Sequence, residues 1–154
     1  MQQTNLPARP LLNRSLEGQR VVIIGGTSGF GMATAKAASA EGASVIVASS
    51  KKTNVDRALA ELPAGTEGHV LDITQESAVT DFLAAVGEFD HLAITSGGSL
   101  DLGVCGCRFG KSRPSAPVGR VGEPEDLAET YLYLMRERFS TGAMIVVAGG
   151  STLV

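Results

Sequence analysis

A strand-like run that ends in clustered glycines and leads into an alanine-rich segment constrains the fold of this chain most. Residues 20–26 read RVVIIGG, and FGMATAKAASAEG follows at 30–42. So short a turn between a buried strand and a helix favours glycine, because a Cβ atom would block the required backbone conformations. The turn also leaves free N–H groups at the start of the helix, where a phosphate binds. The pattern predicts a strand, a phosphate-binding turn and a helix in direct succession.

The alternation of apolar strands and amphipathic helices continues along the chain. Three further strands are predicted at 43–50 (ASVIVASS), 68–74 (GHVLDIT) and 90–98 (DHLAITSGG). Helices are predicted between them at 54–63 and 75–87, the second with Thr74 as its N-cap. Apolar strands that alternate with helices are typical of a parallel sheet covered on both faces. The predicted class is therefore α/β.

The C-terminal third predicts one more helix and one more strand. The helix covers 124–138, with Pro124 in its first turn, and GAMIVVAGG at 142–150 predicts the last strand. Residues 1–15 are expected to form a flexible N-terminal arm, or a strap that lies on a neighbouring subunit. A chain of 154 residues has room for one core. We therefore expect a single domain at 16–154 with a linker at about 100–117.

Composition excludes several classes of partner. A net charge of −3 gives no reason to expect nucleic-acid binding. No apolar run approaches the roughly 20 residues that cross a bilayer, and no signal peptide is visible, so a cytoplasmic protein without a membrane partner is expected. Cys105 and Cys107 offer only two metal ligands, and His69 and His91 lie far away in sequence, so no metal site is expected.

Taken together, these motifs resemble the short-chain dehydrogenase/reductase family over residues 16–99 and 117–154. GGTSGFG at 25–31 is similar to the family's glycine signature, with Ile24 where threonine is usual. Asp72 resembles the acidic residue near the adenine, and ITSGG at 94–98 stands where the family has Asn-Asn-Ala-Gly. Residues 117–134 and 140–150 are similar to its C-terminal segment, with Ala148 in place of the usual aspartate.

The resemblance implies a Rossmann-type sheet and hydride transfer between a nicotinamide and a carbonyl or alcohol. The family's catalytic groups are a serine, a tyrosine and a lysine four residues after that tyrosine. Here Tyr131 and Tyr133 are followed four residues later by Met135 and Glu137, so the pair is absent. We therefore assign no catalytic residue.

The stretch GVCGCRFGKSRPSAP at 103–117 stands where the family has two further strand-and-helix units. A βαβ unit needs about 30 residues or more, so we interpret the stretch as a linker across an internal deletion. A Cys-x-Cys redox or metal site, and a basic loop of Arg108, Lys111 and Arg113 that contacts phosphate, are the alternatives. The shortened sheet is expected to have about five strands in the order 3-2-1-4-7. Its exposed edge is expected to make the chain a homo-oligomer.

The cofactor is expected to be NADP in preference to NAD. About twenty positions beyond the glycines, NAD-binding proteins carry an acidic residue that binds the ribose 2′-hydroxyl. Here that place reads ASSKK at 48–52, which offers hydroxyls and positive charge to a 2′-phosphate. The predicted dinucleotide contacts are Gly25, Thr27, Ser28, Gly29, Phe30 and Gly31 at the pyrophosphate; Ser49, Ser50 and Lys51 at the ribose phosphate; Asp72 and Ile73 at the adenine; and Ser96 and Gly97 beneath the adjoining ribose.

Two functions follow from this combination of features. The first is an NADP(H)-dependent oxidoreductase of the short-chain type, acting on a carbonyl or secondary alcohol and impaired in catalysis in this shortened form. The second is a non-catalytic dinucleotide-binding module that serves as a sensor or an oligomerisation partner. Binding without turnover distinguishes the second from the first.

Overall fold

The structure is a computed structural model that describes residues 15–96, 117–137 and 140–150. Its strands are β1 (Arg20–Ile24), β2 (Ser44–Ser49), β3 (Glu67–Val70) and β4 (His91–Ile94). Its helices are α1 (Gly29–Ala40), α2 (Lys52–Glu61), α3 (Glu76–Val86) and α4 (Pro124–Arg136). Most of the predicted N-terminal arm, Gly97 and nearly all of the predicted linker, with both cysteines and its basic residues, lie outside the described residues.

The four strands form one parallel sheet in the order β3-β2-β1-β4. In the register of the sheet, Ile23 lies opposite Val47 of β2 and Ala93 of β4. The chain crosses over between parallel strands through helices, as the alternating sequence pattern predicts. The α/β class and the first four places of the expected strand order are confirmed.

Two apolar layers cover the two faces of the sheet, because successive side chains of a strand point in opposite directions. On one face Val21 and Ile23 pack with residues of α1, α2 and α4, including Ala35, Ala58 and Leu132. On the other face Val22, Ile24 and Ile46 pack with Phe82 and Val86 of α3. The chain thus buries residues from both sides of its undescribed middle segment in a common core.

The expected fifth strand at 142–150 is wrong for the described structure. Residues 140–150 have an irregular backbone and pair with no strand of the sheet. The Gly149 carbonyl accepts a hydrogen bond from the Val118 N–H at 3.3 Å, which ties this segment to the residues before α4. A run of β-branched residues becomes a strand only where a neighbour supplies hydrogen bonds, and here none of the described strands does so.

The two helix ends predicted at glycines agree with the sequence, whereas the predicted N-cap of α3 is wrong. Gly42 and Gly87 have φ values of +87° and +71° beyond the ends of α1 and α3, as expected for terminating glycines. Thr74 is not the N-cap of α3, which is Gln75. The Thr74 hydroxyl instead donates to Asp72 Oδ1 at 2.7 Å, because a threonine two positions after an aspartate is within reach of its carboxylate.

Helix α4 begins as its sequence predicts. Pro124 stands in the first turn, and the Glu123 N–H donates to Asp126 Oδ2 at 2.8 Å.

None of the helices in the three described ranges combines the length and apolar character that crossing a membrane requires. The expected cytoplasmic location stays a prediction.

Candidate functional site

The predicted contact residues, Gly97 aside, lie along one edge of the sheet. Because all four strands are parallel, their carboxyl ends share that edge. The glycine turn follows β1, Ser49 ends β2, Asp72 follows β3 and Ser96 follows β4. Residues from positions 25 to 96 are thereby brought together at the place where ligands bind in open parallel sheets.

The three signature glycines occupy three different environments. Gly25 has a φ of +90°, and a Cβ on it would lie 2.5 Å from the backbone nitrogen of Ser96. A Cβ on Gly31 would lie less than 3.0 Å from the Gly25 carbonyl oxygen and from Thr95 Oγ1. Gly29, with a φ of +50°, faces open space. The first glycine thus forms the turn, the third allows α1 to pack closely, and the second leaves room for a ligand.

The first turn of α1 presents N–H groups beside that open space. Ser28 is the N-cap and makes no side-chain capping bond, while its carbonyl accepts from the Met32 N–H at 3.2 Å. The N–H groups of Gly29, Phe30 and Gly31 precede the first intrahelical bond, so they are free to bind an anion. Ser28, Gly29 and Phe30 are exposed, whereas Thr27 is buried.

The end of β4 holds the turn in place. The N–H groups of Thr95 and Ser96 both donate to the Ile24 carbonyl, at 2.8 and 3.2 Å. Thr95 Oγ1 donates to the same oxygen at 3.2 Å. Thr95 is therefore a positioning residue that the predicted site omitted. Its position directly after the apolar run that predicts β4 is the only sequence signal that could have indicated it.

Ser96 carries a buried hydroxyl group without a hydrogen-bond partner among the described residues. The Ser96 backbone nitrogen would be the atom nearest to a Cβ on Gly25, so the hydroxyl lies close to the glycine turn. A buried hydroxyl without a partner is unfavourable, and a ligand hydroxyl or phosphate at this edge would satisfy it. This feature agrees with the assignment of Ser96 to a cofactor ribose.

The end of β2 presents hydroxyl and ammonium groups to solvent. Ser49 is half-buried, while Ser50 and Lys51 are exposed. The ammonium of Lys52 is engaged by Asp56, with distances of 2.9 and 3.1 Å to its two carboxylate oxygens. No such ion pair is formed by Lys51 within the described ranges. Lys51 is therefore the more available of the two lysines.

Asp72 and Ile73 extend the edge beyond β3. Both residues are exposed, with 46% of Ile73 accessible. Hydrogen bonds from the Thr74 side chain, and then from its backbone N–H, lower the pKa of Asp72. The carboxylate is thus ionised at neutral pH and accepts hydrogen bonds, as an adenine amino group would require. Ile73 supplies apolar surface next to it.

Both tyrosines lie on α4, and neither is followed by a lysine four positions later. Tyr131 packs against the core layer shared with α1, and Tyr133 is 48% exposed. The residues four positions later are Met135 and Glu137, as the sequence predicts. In the described part of the chain no group of three or more histidine, cysteine or acidic residues forms a metal-binding cluster.

Several curated proteins are similar to this chain over its N-terminal part. The short-chain dehydrogenase/reductase ucsE of an Acremonium species is 42% identical over 102 residues, which cover 55% of this chain and 39% of that protein. ATR9 of Stachybotrys chlorohalonatus, of the same description, is 38% identical over 96 residues, covering 54% of this chain and 38% of its own length. The chain therefore matches well under half of each relative.

Solved structures agree with the sequence comparison. A short-chain dehydrogenase/reductase family protein superposes with a TM-score of 0.53 at 30% identity, covering 55% of this chain and 36% of the other. A 2-keto-3-deoxy-D-gluconate dehydrogenase from Streptococcus agalactiae gives a TM-score of 0.52 at 29% identity, covering 56% and 35% of the two chains.

The family model described as short chain dehydrogenase matches residues 19–101, which is more than half of this chain. The matched range contains the parallel sheet, the glycine turn and every predicted contact residue. Members of this family bind nicotinamide dinucleotides. The chain belongs to the short-chain dehydrogenase/reductase family.

Proposed function

We propose that this chain binds a nicotinamide dinucleotide at the carboxyl edge of its sheet, with NADP(H) preferred to NAD(H). The observation that carries the proposal is the open space at Gly29, next to the uncapped first turn of α1. The N–H groups of this turn and the positive end of the helix dipole would hold the pyrophosphate. The remaining contacts follow from the order of groups along the dinucleotide.

The preference for NADP rests on the loop after β2. Ser49 and Ser50 would donate hydroxyl hydrogen bonds to a 2′-phosphate, and the available ammonium of Lys51 would neutralise its charge. An acidic side chain, which would repel that phosphate, is absent from positions 48–52. Asp72 and Ile73 would contact the adenine, and the Ser96 hydroxyl would bind a ribose together with Gly97.

A nicotinamide bound at this edge would supply or accept a hydride, and its substrate would be a small carbonyl compound or secondary alcohol. Proton transfer to the substrate oxygen needs a tyrosine whose pKa a nearby lysine lowers. Tyr131 and Tyr133 lack that lysine four positions later, and Tyr131 packs against the core layer of α1. We therefore propose that this chain binds the cofactor but transfers hydride poorly.

A titration of the chain with NADPH, followed by the fluorescence of the reduced nicotinamide, tests the proposal. Gly29→Asp should abolish the fluorescence change, because a carboxylate at the open position repels the pyrophosphate. Gly65→Asp is the matched control: Gly65 also has a positive φ, +98°, and open space around it, but it lies in the turn before β3. Equal affinity of the two variants, or no binding by the native chain, would refute the proposal.

The second candidate function is a non-catalytic dinucleotide-binding module. The missing tyrosine–lysine pair favours it, since the chain has the glycine turn at the carboxyl edge of the sheet but lacks the proton-transfer groups. NADPH oxidation with a panel of ketones and aldehydes separates the candidates. Turnover with any substrate supports the oxidoreductase, whereas binding without turnover supports the module.

A further inference from the structure

The outer edge of β4 is unpaired in the described structure. β4 forms hydrogen bonds with β1, and no described strand lies on its other side. The Thr95 N–H donates to Ile24 on the inner side. Because the backbone groups of alternate residues in a strand point to opposite sides, the N–H and C=O groups of Leu92 and Ile94 point outward. This edge can therefore accept one more strand.

The side chains along this edge are apolar and accessible. Leu92 is 43% and Ile94 60% exposed. Both stand on the same face as Val22 and Ile24, their partners in the register, which α3 covers. Natural edge strands are usually protected from association by charges, prolines or bulges. The sequence His91–Ile94 carries none of these protections apart from the histidine at its start.

Residues 143–148, the C-terminal segment, are suited to a strand but pair with none of the described strands. Their sequence AMIVVA contains no charge and no proline, and its β-branched residues suit a strand. Met144 is 91% and Val146 65% exposed, and the backbone belongs to no described sheet. Among the described residues, one chain thus carries both an unpaired strand edge and an unpaired strand-forming segment.

We propose that the C-terminal segment of one copy adds as a fifth strand to the outer edge of β4 of a second copy. Within the described structure the segment does not pair with β4 of its own chain, and the Gly149 carbonyl at its end accepts a hydrogen bond from the Val118 N–H instead. In a two-fold dimer the same contact forms twice, and neither surface must desolvate a charge. Two contacts help to reach the roughly 800 Å² per partner that stable interfaces bury.

The mass of the full chain in solution, measured by light scattering across micromolar concentrations, tests this proposal. We expect a dimer of twice 15.9 kDa. Ile94→Lys and Val146→Lys should each give monomers, because each puts a charge into both copies of the contact. Tyr133→Lys makes the same kind of change at an exposed site on α4 and should leave the dimer intact. Circular dichroism verifies that each variant is folded.

Mixing the two monomeric variants provides the decisive result. The Ile94→Lys chain keeps an intact C-terminal segment, and the Val146→Lys chain keeps an intact edge. One contact of the mixed dimer is native and the other carries both introduced lysines, so dimers should reappear on mixing, at higher concentrations than the native chain needs. A native chain that stays monomeric, or variants that fail to associate when mixed, would overturn the proposal and indicate that each edge is covered within its own chain.

Discussion

Arg136, at the end of α4, forms an ion pair with Glu41, the residue that follows α1. Arg136 Nε donates to Glu41 Oε2 at 3.0 Å, and each side chain is 23% exposed. Next to this pair, Leu132 and Met135 are buried in the core layer that α1 also lines. The contact spans 95 positions and joins the C-terminal helix to the helix that begins at the carboxyl edge of the sheet. α4 is thus part of the same folded unit as the glycine turn.

Arg136→Gln should lower the free energy of unfolding by about 1 kcal/mol, because a partly buried pair loses less to solvent screening than an exposed one. Urea denaturation followed by circular dichroism measures the change. Lys36→Gln is the control, since Lys36 and Glu61 are 3.4 Å apart and about half exposed. A loss at Lys36 as large as at Arg136 would contradict the structural importance of the α4 contact.

Gly31→Ala should destabilise the fold by about 2 kcal/mol, because the added methyl group would overlap the Gly25 carbonyl and Thr95 Oγ1. The backbone of the turn cannot move without breaking its bonds to β4. Gly29→Ala, which meets no neighbouring atom, should cost about 1 kcal/mol for its left-handed conformation alone. Thermal or urea unfolding of both variants distinguishes a packing role from a conformational one.

Sequence alone predicted the sheet because its strands are buried on both faces. Runs such as VVII in β1 and VIVA in β2 leave little choice but a central parallel strand between covering helices. The error at 142–150 has the opposite cause. AMIVVA has equal strand propensity, but propensity does not supply a neighbour, and the strand order near this segment depends on units that the chain lacks.

The sequence indicated which residues meet at the carboxyl edge of the sheet, but not what each of them contacts. The glycine pattern identified the turn, yet the demands on Gly25 and Gly31 come from Thr95 and Ser96, some 65 to 70 positions away. Those contacts depend on the register between β1 and β4, which no local pattern reports. The buried Ser96 hydroxyl and the engagement of Lys52 by Asp56 likewise emerge only from the folded chain.

Lys51→Ala should weaken NADPH binding about tenfold, the equivalent of one charge-assisted contact, and leave NADH binding unchanged. Lys52→Ala should have the smaller effect on NADPH, since Asp56 already engages the Lys52 ammonium. Parallel fluorescence titrations with the two cofactors measure both effects. Equal losses of NADPH and NADH affinity in Lys51→Ala would contradict a contact between Lys51 and the 2′-phosphate.

The Arg120–Asp126 pair should make the fold sensitive to acid near the start of α4. Hydrogen bonds from Arg120, and then from the Glu123 backbone, lower the pKa of Asp126 to about 2 from 3.8. A depressed pKa stabilises the fold fully above pH 3.8, and this contribution is lost as the pH falls towards 2. Urea unfolding from about pH 5 to about pH 2 should therefore show a steeper acid loss for the native chain than for Asp126→Asn. Identical slopes would contradict the pairing.

Ser96→Ala should have opposite effects on stability and on binding. Removing a buried hydroxyl without a partner among the described residues should raise the free energy of unfolding of the unliganded chain by about 1 kcal/mol. The same change removes the group expected to bind the cofactor ribose, so NADPH affinity should fall. Urea unfolding and NADPH titration of the same preparation measure the change in the free energy of unfolding and the change in NADPH affinity. Ser77→Ala, on an exposed part of α3, should leave the affinity unchanged. If the hydroxyl serves only the ligand, its removal should make the unliganded chain more stable. A variant that loses both stability and affinity would therefore show that the Ser96 hydroxyl stabilises the fold.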